Sequence, residues 1–302
     1  MVLGAVLIGL GYGPITPASS HLLVRTTPKN KMSLVFSIKQ TGVPLGSMVA
    51  GAVVPPLALM TNWQASLVSV AGGCLLCAWF SQGLRKELDS DRQPNASIRW
   101  ASLVQPIRLV LAHRALVTMA SCSFLFSMVQ LSLTTYLVTF LYDDLAYGLV
   151  AAGLALSVTQ LGGIGGRVVW GYVADRWLGA RRTLLLLASM MALGALASAF
   201  LTVNTPQGVV MTILLTFGAS AIGWNGVYLA EVARRAPAGM ASLATGGTLA
   251  FTFLGVVVGP PIFGALSGLF GTYRAGFWGL MVVTLISGAL LFRSQQPAHD
   301  TV

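Results

Sequence analysis

Residues 147–182 read YGLVAAGLALSVTQLGGIGGRVVWGYVADRWLGARR. The first twenty-five of these, 147–171, carry a single charged residue, Arg167. The eleven that follow carry Asp175, Arg176, Arg181 and Arg182. About twenty apolar residues span a bilayer as a helix, and arginines gathered just beyond such a run mark its cytoplasmic end. This pattern, an apolar run followed by a short polar connection, sets the reading of the whole chain.

The same alternation recurs in both directions. Nine candidate spans fall at about 1–24, 33–58, 64–82, 115–140, 147–171, 182–203, 207–231, 240–267 and 275–292. A segment that crosses lipid must satisfy its own backbone hydrogen bonds, so each is predicted to be a helix and the fold all-α, a polytopic membrane bundle. Composition agrees: apolar residues make up 55% and charged residues 9%, against roughly 25% charged in a soluble domain. The net charge of +10 does not point to nucleic acid, because the basic residues sit in short groups between apolar runs.

Those groups give the orientation. Alternating the spans places fifteen of the eighteen basic residues on one side. They are Arg25, Lys29, Lys31, Arg85, Lys86, Arg92, Arg99, Arg108, Arg114, Arg176, Arg181, Arg182, Arg234, Arg235 and Arg293. The other side has Arg274 and the acidic pair Asp143–Asp144, while Lys39 and Arg167 lie within spans. Positive residues mark the cytoplasm, so the C-terminus is expected inside and the N-terminus outside. No basic residue precedes the first span and no signal-peptide pattern is evident, so a helix that enters from outside suggests the middle of a longer protein.

The chain divides at its most charged segment. Residues 1–82 hold three spans, 83–114 form a cytoplasmic linker, 115–292 hold six spans and 293–302 form a tail. Within the linker, Ile98 to His113 is either an amphipathic helix at the interface or a solvated connection. An offset of 209 residues pairs Pro28 with Pro237, Ser33 with Ser242, Leu34 with Leu243 and Gly46 with Gly255, and aligns basic loop with basic loop. Parallel repeats of six helices are one transporter architecture; on this register three helices would precede Met1.

The loop Gly171 to Arg182 resembles the G-x-x-x-D-R-x-G-R-R signature of the major facilitator superfamily, with extra residues around the second glycine. Physically, Gly171 lets two helices approach, Asp175 can pair with a neighbouring helix start, and Arg176, Arg181 and Arg182 hold the loop at the inner surface. Phe36 to Gly46 looks like the fifth helix of bacterial members. The antiporter pattern G-x-x-x-G-P-x-x-G is not reproduced there. Gly255, Gly259, Pro260 and Gly264 in the eighth span come closer, with one residue too many. The resemblance covers the entire chain as helices four to twelve of twelve. It implies a central cavity lined by the present spans one, two, four, five, seven and eight, a small-molecule substrate, a bacterial inner-membrane location and a monomer. It also implies that Glu231 pairs with Arg176 or Arg181 at an inner gate, the alternative being a surface carboxylate; His21 holds the equivalent place in the first half.

Ionisable residues at membrane depth are functional candidates. Lys39 lies about 9 Å into its span at 1.5 Å per residue and either snorkels to the cytoplasmic interface or faces the cavity, where it would favour an anion. Gln40, Gln130, Thr134, Gln160, Trp224, Asn225 and Tyr228 are the other cavity candidates; each is otherwise a helix-to-helix hydrogen bond. None of the eight acidic residues falls mid-span, so a proton carrier is expected at a helix end or outside this chain. Cys74, Cys77 and Cys122 are read as small packing residues, and Gly162, Gly163, Gly165 and Gly166 as close helix packing rather than a nucleotide loop. No metal or cofactor is expected, since the scarce His, Cys and acidic residues form no ligand or nucleophile–base constellation. The expected function is a secondary transporter of a small solute, with a non-transporting fragment or subunit as the alternative and an intramembrane enzyme disfavoured.

Overall fold

A computed structural model describes residues 2–85 and 100–293. Twelve α-helices account for most of these: α1 Val2–Tyr12, α2 Ile15–Thr26, α3 Met32–Met60, α4 Trp63–Ser81, α5 Trp100–Ala112, α6 Arg114–Asp143, α7 Leu149–Val173, α8 Ala180–Ala199, α9 Gln207–Ala221, α10 Asn225–Arg235, α11 Ala241–Phe270 and α12 Tyr273–Arg293. No strand occurs among the described residues. Among the described residues, seven stretches are long and apolar enough to cross a membrane: α4, α6, α7 with the π-helical turn that extends it to Leu178, α8, α9 with α10, α11 and α12. Helix α3 has 29 residues, about 43 Å at 1.5 Å per residue, which also exceeds the hydrocarbon thickness.

Two expected spans are not single helices. The first breaks at Gly13–Pro14, between α1 and α2, and the seventh breaks at residues 222–224, between α9 and α10. Proline removes a backbone donor and clashes with the preceding turn, which accounts for the first break. Three side chains hold the second: the Trp170 Nε1 donates to the Ala219 carbonyl at 2.8 Å, the Arg167 Nε to the Ile222 carbonyl at 3.1 Å, and the Asn225 Nδ2 to the same carbonyl at 3.5 Å. Gly13 and Ile222 are 209 residues apart, the offset of the sequence repeat, so the two breaks fall on equivalent positions.

The chain forms two compact units, Met1–Gln40 with Ala101–Val302, and Thr41–Trp100. The two units part inside α3, between Gln40 and Thr41, and again between Trp100 and Ala101, within the expected linker; residues 86–99 of that linker lie outside the described ones, as does the tail beyond Arg293. In the smaller unit, the Asn62 side chain caps α4 by accepting from the Ala65 amide at 2.8 Å. Leu67, Val68, Leu75, Trp79 and Phe80 are exposed along α4. Cys74 and Cys77 are exposed there too, so of the three cysteines only Cys122 packs inside; the reason is that α4 turns nearly every side chain outward.

In the larger unit, α6 packs on α11 and α12, α9 on α7 and α8, and α2 on α11. Phe126, Leu133 and Phe140 of α6, Leu187 of α8, Phe217 of α9, Phe263 of α11 and Phe277 of α12 are fully buried. In lipid, such contacts rest on packing and on small residues that let backbones meet. A Cβ on Gly162 or Gly166 of α7 would strike the α9 backbone at Leu215 or Ala219, and one on Gly163 would strike Ile222; Gly165 faces open space. Val150, Val257 and Leu269 lie exposed, as befits helices whose solvent is hydrocarbon. At the end of the bundle carrying the acidic pair, Asp144 accepts from the Thr272 hydroxyl at 2.8 Å and the Tyr273 amide at 3.0 Å, satisfying the start of α12.

Candidate functional site

The polar interior of the larger unit is assembled at the two helix breaks and the opening of α3. Lys39 lies seven residues past Met32, the first residue of α3, hence about 10 Å along the helix. Its Nζ lies 3.5 Å from Thr16 Oγ1 and 3.2 Å from Gln40 Oε1. Thr16 is ten residues before Thr26, the end of α2, which puts it about 15 Å from that end. The ammonium therefore turns away from the basic loop that joins α2 to α3, and its stem does not snorkel there. Its recorded partners are neutral oxygens.

Gln40 is buried, 8% exposed. Its carbonyl accepts from a terminal nitrogen of Arg167, itself only 3% exposed on α7. The sequence showed Arg167 to lie within a span, yet it did not enter the candidate set. The signal that could have raised it was its position as the single charge in 147–171. Through the Ile222 carbonyl, Arg167 meets Asn225, whose Nδ2 also donates to Gln130 Oε1 at 3.1 Å. The Trp224 Nε1 donates to the same Gln130 oxygen at 3.0 Å. A continuous polar path thus runs Thr16, Lys39, Gln40, Arg167, Ile222, Asn225, Gln130, Trp224. Among the described residues, no carboxylate pairs with either cation on it.

Other candidates stand apart from that path. Thr134 turns its hydroxyl back to the Gln130 and Leu131 carbonyls of its own helix, and Gln160 is half-buried on α7. Tyr228 is 1% exposed, its ring meeting Trp224 edge to face at 5.2 Å. Its hydroxyl has no hydrogen bond of good geometry among the described residues.

At the end of the bundle carrying the basic loops, Asp175 is the hub. Its carboxylate accepts from the amides of Ser33 at 3.0 Å and Leu34 at 2.7 Å, the first turn of α3, and from Arg234 Nη2 at 3.0 Å. Orphan amides at a helix start welcome a negative charge, and Gly171 and Gly226 admit the backbone of α3 at Leu34 and Ser37. The expected pairing of Glu231 is different. Glu231 binds Arg235 at 2.6 Å and lies 3.9 Å from Arg234, both on its own helix, because residues three and four apart share a face. Arg181 instead donates to the Leu291 carbonyl at 2.6 Å, capping the end of α12, although it shares a recess of about 460 Å³ with Arg182 and Glu231. Arg176 borders a smaller recess with Asn30, Lys31, Leu34, Tyr172 and Asp175.

A bundle of long apolar helices with paired breaks, an internal polar path and an ionic knot at one end defines the class of polytopic membrane proteins. The chain matches the Major Facilitator Superfamily over residues 1–247 and belongs to that family. It is 27% identical over 261 residues to an uncharacterized MFS-type transporter of Mycobacterium tuberculosis, covering 85% of this chain and 56% of that protein. It is 20% identical over 174 residues to the hexuronate transporter of Bacillus subtilis, covering 56% and 41%. It is 24% identical over 290 residues to a "probable anion transporter", chloroplastic, of Oryza sativa, covering 89% and 46%. The chain spans about half the length of these curated relatives. Among solved structures, the fold is similar to the fucose:proton symporter of E. coli, with a TM-score of 0.70 at 14% identity over 94% of this chain and 74% of that one. It is also similar to a bacterial homologue of the iron transporter ferroportin in its outward-facing state, with a TM-score of 0.63 at 18% identity over 97% and 72%.

Proposed function

We propose that the protein is a secondary transporter that moves a small organic anion by alternating access, with Lys39 supplying the charge that selects it. The observation that carries this reading is the Lys39 ammonium, turned inward onto the neutral oxygens of Thr16 and Gln40. A cation at membrane depth is costly without a counter-charge, and an anionic substrate provides one. Two relatives bear names of the same class, a hexuronate transporter and an anion transporter. Gln40, Gln130, Trp224 and Asn225 supply hydrogen-bond groups that orient the ligand, and Asp175 with Arg234 latches the cytoplasmic end against the start of α3. The basic loops face the cytoplasm.

The test is counterflow in proteoliposomes containing the full chain, with labelled glucuronate, acetate and succinate against a neutral hexose. Uptake of an anion that Lys39→Gln lowers by at least about tenfold supports the reading. Uptake of the hexose alone, indifferent to Lys39→Gln, overturns it. Anion binding without uptake keeps the reading of the site and assigns translocation to a longer chain.

A further inference from the structure

Arg167 is more than ordinary helix packing, because both of its carbonyl partners lie where the regular helical ladder is broken, one by a proline and one at the gap between α9 and α10. In an α-helix the carbonyl of residue i takes the amide of residue i+4. For Gln40 that residue is Pro44, which has no N–H. Ile222 lies in the break between α9 and α10, where the helical ladder is interrupted. The guanidinium thus fills two helix defects at once, one on α3 and one between α9 and α10. Carbonyl dipoles solvate a cation but do not neutralise it. With Lys39 bonded to the side chain of the same Gln40, two positive charges flank one residue, and no carboxylate among the described residues pairs with either.

We infer that Arg167 is an exchangeable second arm of the anion site: held by the Gln40 and Ile222 carbonyls when the site is empty, it moves onto the carboxylate of a compact dianion whose other charge meets Lys39. This rests on the anion reading above and sharpens it to a dicarboxylate. A guanidinium prefers a carboxylate to neutral carbonyls, because two parallel charge-assisted hydrogen bonds replace two unrelated ones. Its transfer also releases α3 from the α9–α10 break, so occupancy of the site unfastens two helices that the empty protein holds together.

The experiment is ligand-dependent thermal stabilisation of the full chain in nanodiscs, titrated with succinate, its neutral diamide succinamide, glucuronate and acetate. Three proteins are compared: wild type, Arg167→Gln and Pro44→Ala. Succinate is expected to stabilise the wild type more tightly than the monoanions, and succinamide not at all. Arg167→Gln is expected to weaken succinate binding by about tenfold or more, the scale of one lost charge-assisted bond. Pro44→Ala restores an amide to the Gln40 carbonyl and frees Arg167, so succinate binding tightens several-fold, a gain that misfolding cannot produce. Unchanged succinate affinity in either variant overturns the exchange. Stabilisation by glucuronate or acetate with no preference for succinate overturns the dianion while leaving the anion reading intact. No stabilisation of the wild type by any of the three anions removes both.

Discussion

Asp175 holds Arg234 at 3.0 Å with one carboxylate oxygen while both of its oxygens accept amides from the first turn of α3. The two partners are unequal. Asp175 is 7% exposed and Arg234 29%, so the ion pair is partly screened, whereas the amide bonds are sheltered. Asp175→Ala should therefore destabilise more than Arg234→Ala. The difference is expected to be about 1 kcal/mol or more, the worth of a lost helix cap. Unfolding of the two variants in mixed micelles measures it; equal losses would mean that the ion pair alone matters.

The close approach of α10 to α3 gives a steric prediction. A Cβ on Gly226 would collide with the backbone and hydroxyl of Ser37, while one on Gly165 would meet nothing within 4 Å. Backbone atoms cannot step aside as a flexible side chain can, so Gly226→Ala should cost about 1–3 kcal/mol. Gly165→Ala should be neutral or slightly stabilising, since alanine is the better helix former. Thermal unfolding of both in the same lipid separates them, and a neutral Gly226→Ala would refute the contact.

These two sites show what could be read in advance. The spans follow from apolar length alone, and the pairing of Asp175 with a helix start follows from a lone carboxylate set among arginines. The break at Gly13–Pro14 was legible in Pro14 but masked by the unbroken apolar run around it. The break at residues 222–224 left no such mark: Gly223 stands between Ile222 and Trp224, and the three side chains that hold it come partly from a distant helix. For Glu231 the family resemblance points across to the loop arginines, whereas helix geometry already offers Arg234 and Arg235 at three and four residues' distance, and the structure takes the local pair. Arg167 was overlooked because its meaning depends on Pro44, more than a hundred residues away in the chain.

Gln130 offers a test of the polar path. Its single side-chain oxygen accepts from both Trp224 and Asn225. Gln130→Leu keeps the volume and removes the acceptor, leaving the fully buried Trp224 donor unpaired and Asn225 Nδ2 with only its longer bond to the Ile222 carbonyl. The loss should be about 1–3 kcal/mol. In a double-mutant cycle with Asn225→Ala, a coupling of at least about 0.5 kcal/mol is expected. Strict additivity would show that the two residues do not share the oxygen.

The last prediction concerns orientation and uses the thiols. Cys122 is buried against Ser287, whose hydroxyl lies 3.2 Å from its sulfur, whereas Cys74 and Cys77 are exposed on α4. If α4 crosses the bilayer, those two thiols face hydrocarbon, which a charged, water-borne reagent does not enter. A membrane-impermeant maleimide should then label none of the three in intact vesicles. With these cysteines changed to serine, a single probe at Asp143→Cys or Arg176→Cys reports the two ends of the bundle. Alternating the spans along the sequence predicts fifteen of the eighteen basic residues on the side of Arg176, and such residues stay cytoplasmic. The impermeant reagent added to intact cells should therefore label position 143 and reach position 176 only after permeabilisation. The reverse pattern would invert the topology, and with it the assignment of the Asp175–Arg234 latch to the inner face.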